Sequence, residues 1–121
     1  VVLIDPSYEM KSDYKTVITA VDDAVRRWAT GVFLVWYPLL DRTVADRLLR
    51  RIEATGIRKV LYAEFGLRDA ALGTGLWGSG LVIVNPPYQL DKQLKRLLPW
   101  LKRVLKARPS APSNVRWITP E

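Results

Sequence analysis

The sequence predicts an α/β fold in which two parallel strands and an antiparallel strand pair are flanked by helices. Short aliphatic runs with no polar alternation recur along the chain, as is typical of strands buried on both faces. Stretches with apolar residues three and four positions apart separate these runs and indicate amphipathic helices. The 121 residues correspond to one domain or part of one, and 49% apolar residues suffice for a core.

The first three predicted elements form a strand–helix–strand unit. The apolar run at residues 1–4 ends at Asp5, and a helical stripe follows over residues 14–28. Gly31, expected to cap this helix in the left-handed conformation, leads into a second apolar run at residues 32–37. Such a crossover joins parallel strands. Asp5 and the end of the second strand are therefore expected at one carboxyl edge of the sheet, where open α/β sheets bind ligands.

A second helix and an antiparallel strand pair follow. The helix begins near Thr43 and ends at Gly56, and residues 57–65 are the third strand. Residues 66–80, which are rich in glycine, are interpreted as a flexible connection to the fourth strand at residues 81–84. Four arginines of this helix are expected to point mostly outward, as a solvated helix face: Arg42, Arg47, Arg50 and Arg51.

The last part of the chain predicts a long helix and a short edge strand. Residues 90–107 are amphipathic, and Pro99 is expected to kink or split this helix. Its many lysines and arginines are interpreted as a solvated face. Residues 115–118 could add an edge strand. The residues expected to face inward are Leu94, Leu97, Leu98, Leu101, Val104 and Leu105.

The composition limits the chemistry that this chain can perform. It contains no cysteine and no histidine, so disulfides, thiolate chemistry and the common zinc sites are excluded within it. A general base would have to be Asp, Glu, Lys or Tyr. The net charge of +7 favours polyanionic partners such as nucleic acid, although solubility alone is an alternative explanation. Because a core strand begins directly at Val1, the chain is expected to be the C-terminal piece of a longer protein.

Two strand ends carry similar motifs, Asp5-Pro6-Ser7-Tyr8 and Asn85-Pro86-Pro87-Tyr88. Both resemble the (Asp/Asn/Ser)-Pro-Pro-aromatic motif of methyltransferases that act on the amino group of adenine or other planar amines. The second motif is the better match in spelling. It follows the antiparallel strand, however, so Asn85 is expected at the opposite sheet edge in a rigid strand-to-helix turn. The first motif follows a parallel strand and is therefore predicted to be catalytic.

The resemblance extends over the whole chain to the C-terminal half of the RlmJ family, which methylates an adenine N6 in large-subunit ribosomal RNA with S-adenosylmethionine. It implies the C-terminal half of a Rossmann-like class I methyltransferase fold, with residues 1–121 as the substrate-side part of one domain. The glycine-rich cofactor loop would lie upstream of Val1, so this piece alone is expected to be inactive. The segments that carry the resemblance, in order, are Ile4 to Glu9, Trp36-Tyr37-Pro38, Gly78-Ser79-Gly80 with Asn85-Pro86-Pro87, Leu98 to Leu101, and Trp117 to Glu121.

The resemblance also implies roles for the first motif. The Asp5 side chain and the Pro6 carbonyl would accept hydrogen bonds from the target amine, and Tyr8 would stack on the base, a contact of about 1–3 kcal/mol. Ser7 stands where the family motif has Pro, which frees one φ angle and restores an N–H. The predicted partner is ribosomal RNA, with no membrane and no metal, for a monomeric cytoplasmic enzyme.

Further residues are predicted to bind the substrate. Lys11 and Lys15, just beyond the motif, are the nearest candidates to hold phosphates. Trp36 and Tyr37 are expected either to line the pocket or to pack in the core. Two other functions stay open: a DNA adenine-N6 methyltransferase, because the motif does not distinguish the nucleic acids, and a non-catalytic basic α/β module that binds RNA.

Overall fold

A computed structural model describes residues 1–69 and 75–120 and has a mixed α/β architecture. Within these ranges, no helix is both long and apolar enough to cross a membrane. Five strands form one sheet, and three helices flank it. In chain order the elements are β1 (Val2–Ile4), α1 (Ser12–Arg27), β2 (Phe33–Leu39), α2 (Arg42–Ala54), β3 (Val60–Gly66), β4 (Gly78–Val84), α3 (Leu90–Val104) and β5 (Ser113–Thr119).

The strand order across the sheet is β1-β2-β4-β3-β5. β1 and β2 are parallel, as the strand–helix–strand pattern predicts, and β3 and β4 form the predicted antiparallel pair. β4 also pairs with β2 in the antiparallel sense, so it is inserted between two strands that share one direction. β5 pairs with β3 at the far edge, which confirms the predicted edge strand and extends it to seven residues.

The two faces of the sheet bury separate apolar clusters. α1 and α2 cover one face, with Val17 and Leu48 among the buried residues. α3 covers the other face, where Leu98 packs with Leu61 and Ile83. Because side chains alternate along a strand, β3 and β4 contribute to both clusters. This double coverage explains why their sequences are continuously apolar.

Two parts of the predicted core are wrong. β1 is not buried on both faces, since Val2 is 39% and Leu3 61% exposed. It is the edge strand of the five that the structure describes, and none of the described residues pairs with its outer side. In α3, the side chains of Leu97, Val104 and Leu105 are exposed instead of inward. Only part of the apolar face of this helix therefore contacts the sheet. The helix also continues through Pro99 without being split.

Two predictions that concern glycine residues also differ from the structure. α1 ends at Arg27, and Gly31 is not in the left-handed region. Gly31 is needed there for space, because a Cβ atom would lie 2.6 Å from the ring of Trp28. The predicted flexible connection at residues 66–80 is shorter in the structure, since β3 continues to Gly66 and β4 begins at Gly78. Residues 70–74 of that segment lie outside the described residues.

Candidate functional site

The two motifs lie at different ends of the sheet. Ile4 pairs with Val35, so Asp5 follows at the level of Trp36. Val84 pairs with Phe33, so Asn85 lies one residue beyond the start of β2. At about 3.3 Å per residue, four positions along β2 separate the two levels by about 13 Å. The Asp5 carboxylate is exposed at the carboxyl edge of the parallel strands.

Tyr8 anchors the loop that carries Asp5. Its side chain is only 7% exposed, and its hydroxyl donates a hydrogen bond to the Trp36 carbonyl oxygen over 2.5 Å. Its ring centroid lies 4.6 Å from that of Tyr14 and 6.0 Å from that of Trp36. Burial raises the pKa of the Tyr8 phenol well above its ordinary value, with smaller contributions from Tyr14 and Asp5. The hydroxyl therefore stays protonated and keeps its hydrogen bond.

The backbone of Tyr8 is held in an unfavourable conformation. Its φ is 57°, in the left-handed region that a bulky residue rarely adopts. A residue held there costs about 1–3 kcal/mol, and such strain persists only when the surroundings fix it. Here the hydrogen bond and the two ring contacts supply that constraint. The turn directs Tyr8 inward, while Asp5 and Ser7 stay exposed.

The remaining predicted site residues divide between the loop and the core. Ser7 is exposed, and Lys11 is exposed at the start of α1. Trp36 is half-buried beside the loop, where its ring and carbonyl contact Tyr8. Tyr37 is fully buried, so packing in the core describes this residue better than lining a pocket.

The surroundings of Tyr37 contain a charged pair that the sequence patterns did not reveal. Its hydroxyl donates to Glu64 Oε2 over 2.8 Å, and Glu64 is only 2% exposed. Arg42 donates two hydrogen bonds to the same carboxylate, over 2.9 and 2.8 Å. The prediction that Arg42 points outward is therefore wrong. The available signal was a single acid inside an apolar strand, which needs a cationic partner when it is buried.

This pair fixes the end of the sheet next to the loop. Arg42 is the first residue of α2, and it also forms an ion pair with Asp46 over 2.8 Å. The hydrogen bonds to Glu64 raise the pKa of the Arg42 guanidinium, which therefore stays charged. Its guanidinium lies 6.0 Å from the ring centroid of Trp77, whose indole N–H donates to the Leu40 carbonyl. The ends of β2 and β3 and the start of α2 are thus tied together.

The second motif is a structural turn, which confirms that prediction for Asn85-Pro86-Pro87. The Asn85 side-chain amide donates to the carbonyl oxygens of Ala29 and Gly31, both over 2.8 Å. Its φ of 53° is one that asparagine tolerates better than most residues. Tyr88, at the end of the motif, is 88% exposed. The turn joins β4 to α3 and ties both to the segment before β2.

Residues that could hold a metal do not come together in the described ranges. Within residues 1–69 and 75–120, no group of three or more Asp or Glu side chains is arranged to bind an ion. The loop offers the exposed Asp5 carboxylate as a hydrogen-bond acceptor, beside the exposed Ser7 hydroxyl. Acceptors of this kind suit a substrate that presents N–H or O–H donors.

Comparison with known proteins identifies relatives over nearly the whole chain. Residues 1–119 match the family model described as "Ribosomal RNA large subunit methyltransferase D, RlmJ". Two curated proteins, each described as "Ribosomal RNA large subunit methyltransferase J", are similar over 120 residues. The protein of Haemophilus influenzae is 42% identical and that of Escherichia coli K12 is 39% identical.

These relatives are longer than this chain. The matches cover 99% of the chain but only 43% of each curated protein, so the chain spans less than half of their length. A crystal structure described as protein LPL1258 from Legionella pneumophila, with the family label DUF519, has a TM-score of 0.84 at 30% identity. That likeness covers 95% of this chain and 42% of the other.

Proposed function

Since this chain belongs to the RlmJ family of ribosomal RNA large subunit methyltransferases, we propose that it forms the substrate-side part of an enzyme that methylates an adenine N6 in large-subunit ribosomal RNA. The observation that carries the proposal is the exposed Asp5 carboxylate on a loop anchored by Tyr8. The activity belongs to the whole protein, of which the chain matches 43% in the curated relatives. DNA adenine methylation is the alternative within the same chemistry.

The sheet supports a place for this chain in a Rossmann-like class I methyltransferase. β1, β2 and β3 share one direction, and β4 runs against them between β2 and β3. We propose that these are the last four strands of such a sheet, with β5 added at the edge. Residues 1–121 would then be the C-terminal part of a single domain, and its cofactor-binding part would precede β1.

The proposed chemistry follows from the poor nucleophilicity of adenine N6, whose lone pair is delocalised into the ring. The Asp5 carboxylate and the Pro6 carbonyl oxygen accept hydrogen bonds from the two N–H groups of the amine. These bonds hold the nitrogen in one orientation and favour positive charge on it as the new bond forms. S-adenosylmethionine would supply the methyl group by cleavage of its S–CH3 bond and leave as S-adenosylhomocysteine, while the methylated nitrogen would release one proton to solvent. We assign none of the described residues to holding this cofactor.

The loop also has to receive a base that has left its stack, which costs a few kcal/mol in a duplex and least in single-stranded RNA. We propose that Tyr8 and Trp36 provide the aromatic contact for this base, with Ser7 and Lys11 beside it. Tyr8 is only 7% exposed here, so its ring offers the base little contact area. Trp36 is the more accessible of the two rings.

The direct test is methyl transfer by the full-length protein to ribosomal RNA that lacks the modification. Wild-type protein is expected to place the methyl group on an adenine N6, and Asp5→Ala to lower kcat at least about 100-fold, as loss of a transition-state hydrogen bond does elsewhere. Asp5 is exposed, so the variant is expected to fold normally. Unimpaired Asp5→Ala activity would refute the assignment of this loop.

The competing functions give different results in the same assay. A DNA methyltransferase would prefer a DNA substrate of the same sequence when RNA and DNA compete. A non-catalytic module would bind RNA in a salt-sensitive way and be indifferent to Asp5 and to S-adenosylmethionine. Dependence of methyl transfer on Asp5, with RNA preferred, would exclude both.

A further inference from the structure

A groove between α1 and α2 opens beside the anchored loop. Its volume is about 510 Å³, within the range of about 300–1,000 Å³ that is usual for ligand pockets. Tyr14, Leu40 and Val44 form an apolar floor. Leu40 is 50% exposed, so this floor is open to solvent rather than sealed by the core. An accessible apolar floor of this kind suits a planar ring.

Four cationic side chains form the rim of the groove. Lys11 and Lys15 line it from the α1 side, and Arg47 and Arg51 from the α2 side. Each pair is four residues apart, so both members lie on one face of their helix. Arg47 is exposed and Arg51 is half-buried, so the predicted outward direction of these side chains is compatible with their place on the rim. Lys15 and Arg51 also line the continuation of the groove towards the end of α2.

The rim cations differ from three other arginines of the same two helices. Arg26, Arg27 and Arg42 each have a carboxylate partner within 3.0 Å. In the part of the chain that the structure describes, none of the four rim cations forms an ion pair. The acid in the groove, Asp41, accepts a hydrogen bond from the Thr43 N–H over 2.9 Å as the cap of α2. Positive charge is therefore in excess where the cations converge.

The groove is continuous with the candidate site. Tyr14, part of its floor, lies 4.6 Å from Tyr8 between ring centroids. The Asp5 loop and the groove are thus separated by one pair of aromatic rings. A nucleic acid strand that places one base at the Asp5 loop would reach the groove with the next nucleotides.

We propose that the groove binds the ribosomal RNA strand that flanks the target adenine, with phosphates on Lys11, Lys15, Arg47 and Arg51 and a neighbouring base on the apolar floor. This proposal rests on the proposed function and adds where the substrate is held. Proteins bind single-stranded nucleic acid by combining a positively charged groove with aromatic side chains on which bases stack, and Tyr14 is the aromatic residue of this groove. Arg47 and Arg51 belong to α2 and lie outside the Asp5 loop, so they are expected to contribute to RNA binding and to leave the methyl-transfer step itself unchanged.

The test compares full-length variants with an RNA fragment that carries the unmethylated site. Arg47→Ala/Arg51→Ala is expected to raise KM for RNA about tenfold and leave kcat at saturating RNA unchanged. Each lost phosphate contact reduces the slope of log K against log salt by about 0.7 for a single strand, so the double variant should lose about 1.4. Arg47→Lys/Arg51→Lys retains the charges and is expected to retain most of the affinity.

Arg50 provides a matched control, because it is an exposed arginine of the same helix that does not line the groove. Arg50→Ala should change KM and the salt slope less than Arg47→Ala. Equal effects at the two positions, or a fall in kcat with KM unchanged, would overturn the groove proposal. Failure of the proposed function gives another result: wild-type protein transfers no methyl group to RNA, or Asp5→Ala stays fully active.

Discussion

The two Pro-containing turns have nearly the same sequence and opposite arrangements. After β1, the polar residue Asp5 is exposed and Tyr8 is 7% exposed. After β4, the polar residue Asn85 binds two backbone carbonyls and Tyr88 is 88% exposed. One turn thus uses its aromatic residue for anchoring and leaves its polar group available. The other uses its polar group for anchoring and leaves its aromatic residue free.

This difference shows that two turns of nearly the same sequence can leave different groups accessible. The match to the methyltransferase motif is better at Asn85, yet its amide nitrogen donates two hydrogen bonds that hold the chain together. A group can take part in substrate recognition only if its hydrogen-bonding capacity is not already used. The Asp5 carboxylate is exposed and meets that condition. The direction of the preceding strand decides at which edge of the sheet this carboxylate lies.

The largest expected difference between the two turns is the effect of substitutions on catalytic activity. Asp5→Asn keeps one acceptor oxygen and should lose less than the roughly 100-fold expected for Asp5→Ala. Asn85→Ala is expected to leave kcat within about twofold, because its level on the sheet is about 13 Å away. Single-turnover methylation with full-length protein would measure both. A loss at Asn85 that matches the loss at Asp5 would reverse the assignment of the two turns.

Stability should show the opposite contrast. Asn85→Ala removes two hydrogen bonds, each worth about 1 kcal/mol, and places Ala at a φ of 53°. We expect a loss of about 2–3 kcal/mol in the free energy of unfolding by urea. Glycine tolerates the positive φ, so Asn85→Gly should lose less stability than Asn85→Ala. The loss that remains in Asn85→Gly measures the contribution of the hydrogen bonds. Asp5→Ala should be within about 0.5 kcal/mol of wild type, as exposed positions usually are.

The hydroxyl groups of the two tyrosines provide a smaller test. Tyr8→Phe removes the hydrogen bond to the Trp36 carbonyl and should lower the free energy of unfolding by about 1–2 kcal/mol. Tyr88→Phe should change nothing measurable, because that side chain lies in solvent. Equal effects in urea titrations would show that the Tyr8 anchor does not form. The effect on activity should follow loop order, through KM more than kcat.

The raised pKa of Tyr8 also predicts alkaline sensitivity. The folded protein holds the phenol protonated, while the unfolded chain releases its proton at about pH 10. The stabilisation is therefore fully present below pH 10 and is lost as the pH rises above it. The slope is at most about 1.4 kcal/mol per pH unit for this group. Tyr8→Phe should remove that part of the slope, and an unchanged slope would contradict the prediction.

The smallest expected effect is at Ser7, where the family motif has proline. Ser7→Pro restricts the unfolded chain and is expected to stabilise the protein by about 0.4–1 kcal/mol if the loop fits a φ near −65°. Activity should stay equal or rise slightly, because the Asp5 acceptor becomes more rigid. Thermal unfolding and kcat measured together would check this. A clear loss of both would indicate that the Ser7 N–H is needed.

Periodicity predicted the helices and strands well, because continuous apolar runs and helical stripes reflect local geometry. Local patterns could not show which faces find a partner. β1 is as apolar as β2 but lies at the sheet edge, and part of the apolar stripe of α3 extends beyond the sheet. Both errors arise because burial depends on which elements pack against a strand or helix, and the sequence pattern does not show this.

The placement of the two motifs at different ends of the sheet was predictable, and the geometry of their side chains was not. Strand direction was sufficient to separate Asp5 from Asn85. The inward turn at Tyr8 depends on a left-handed φ that few bulky residues adopt, so no pattern predicts it. Arg42 differs from the neighbouring arginines only because Glu64, 22 residues away, lies opposite it. That relation exists only in three dimensions.

The Arg42–Glu64 pair has a consequence for the order of folding. If β3 were buried before α2 arrived, the Glu64 carboxylate would be enclosed without its cation, which costs several kcal/mol. Burial of β3 in the absence of α2 is therefore disfavoured, so we expect the burial of β3 to be coupled to the docking of the start of α2. The same docking closes the α2 side of the groove. The edge that would receive RNA is thus assembled only when the whole of this end of the sheet is complete.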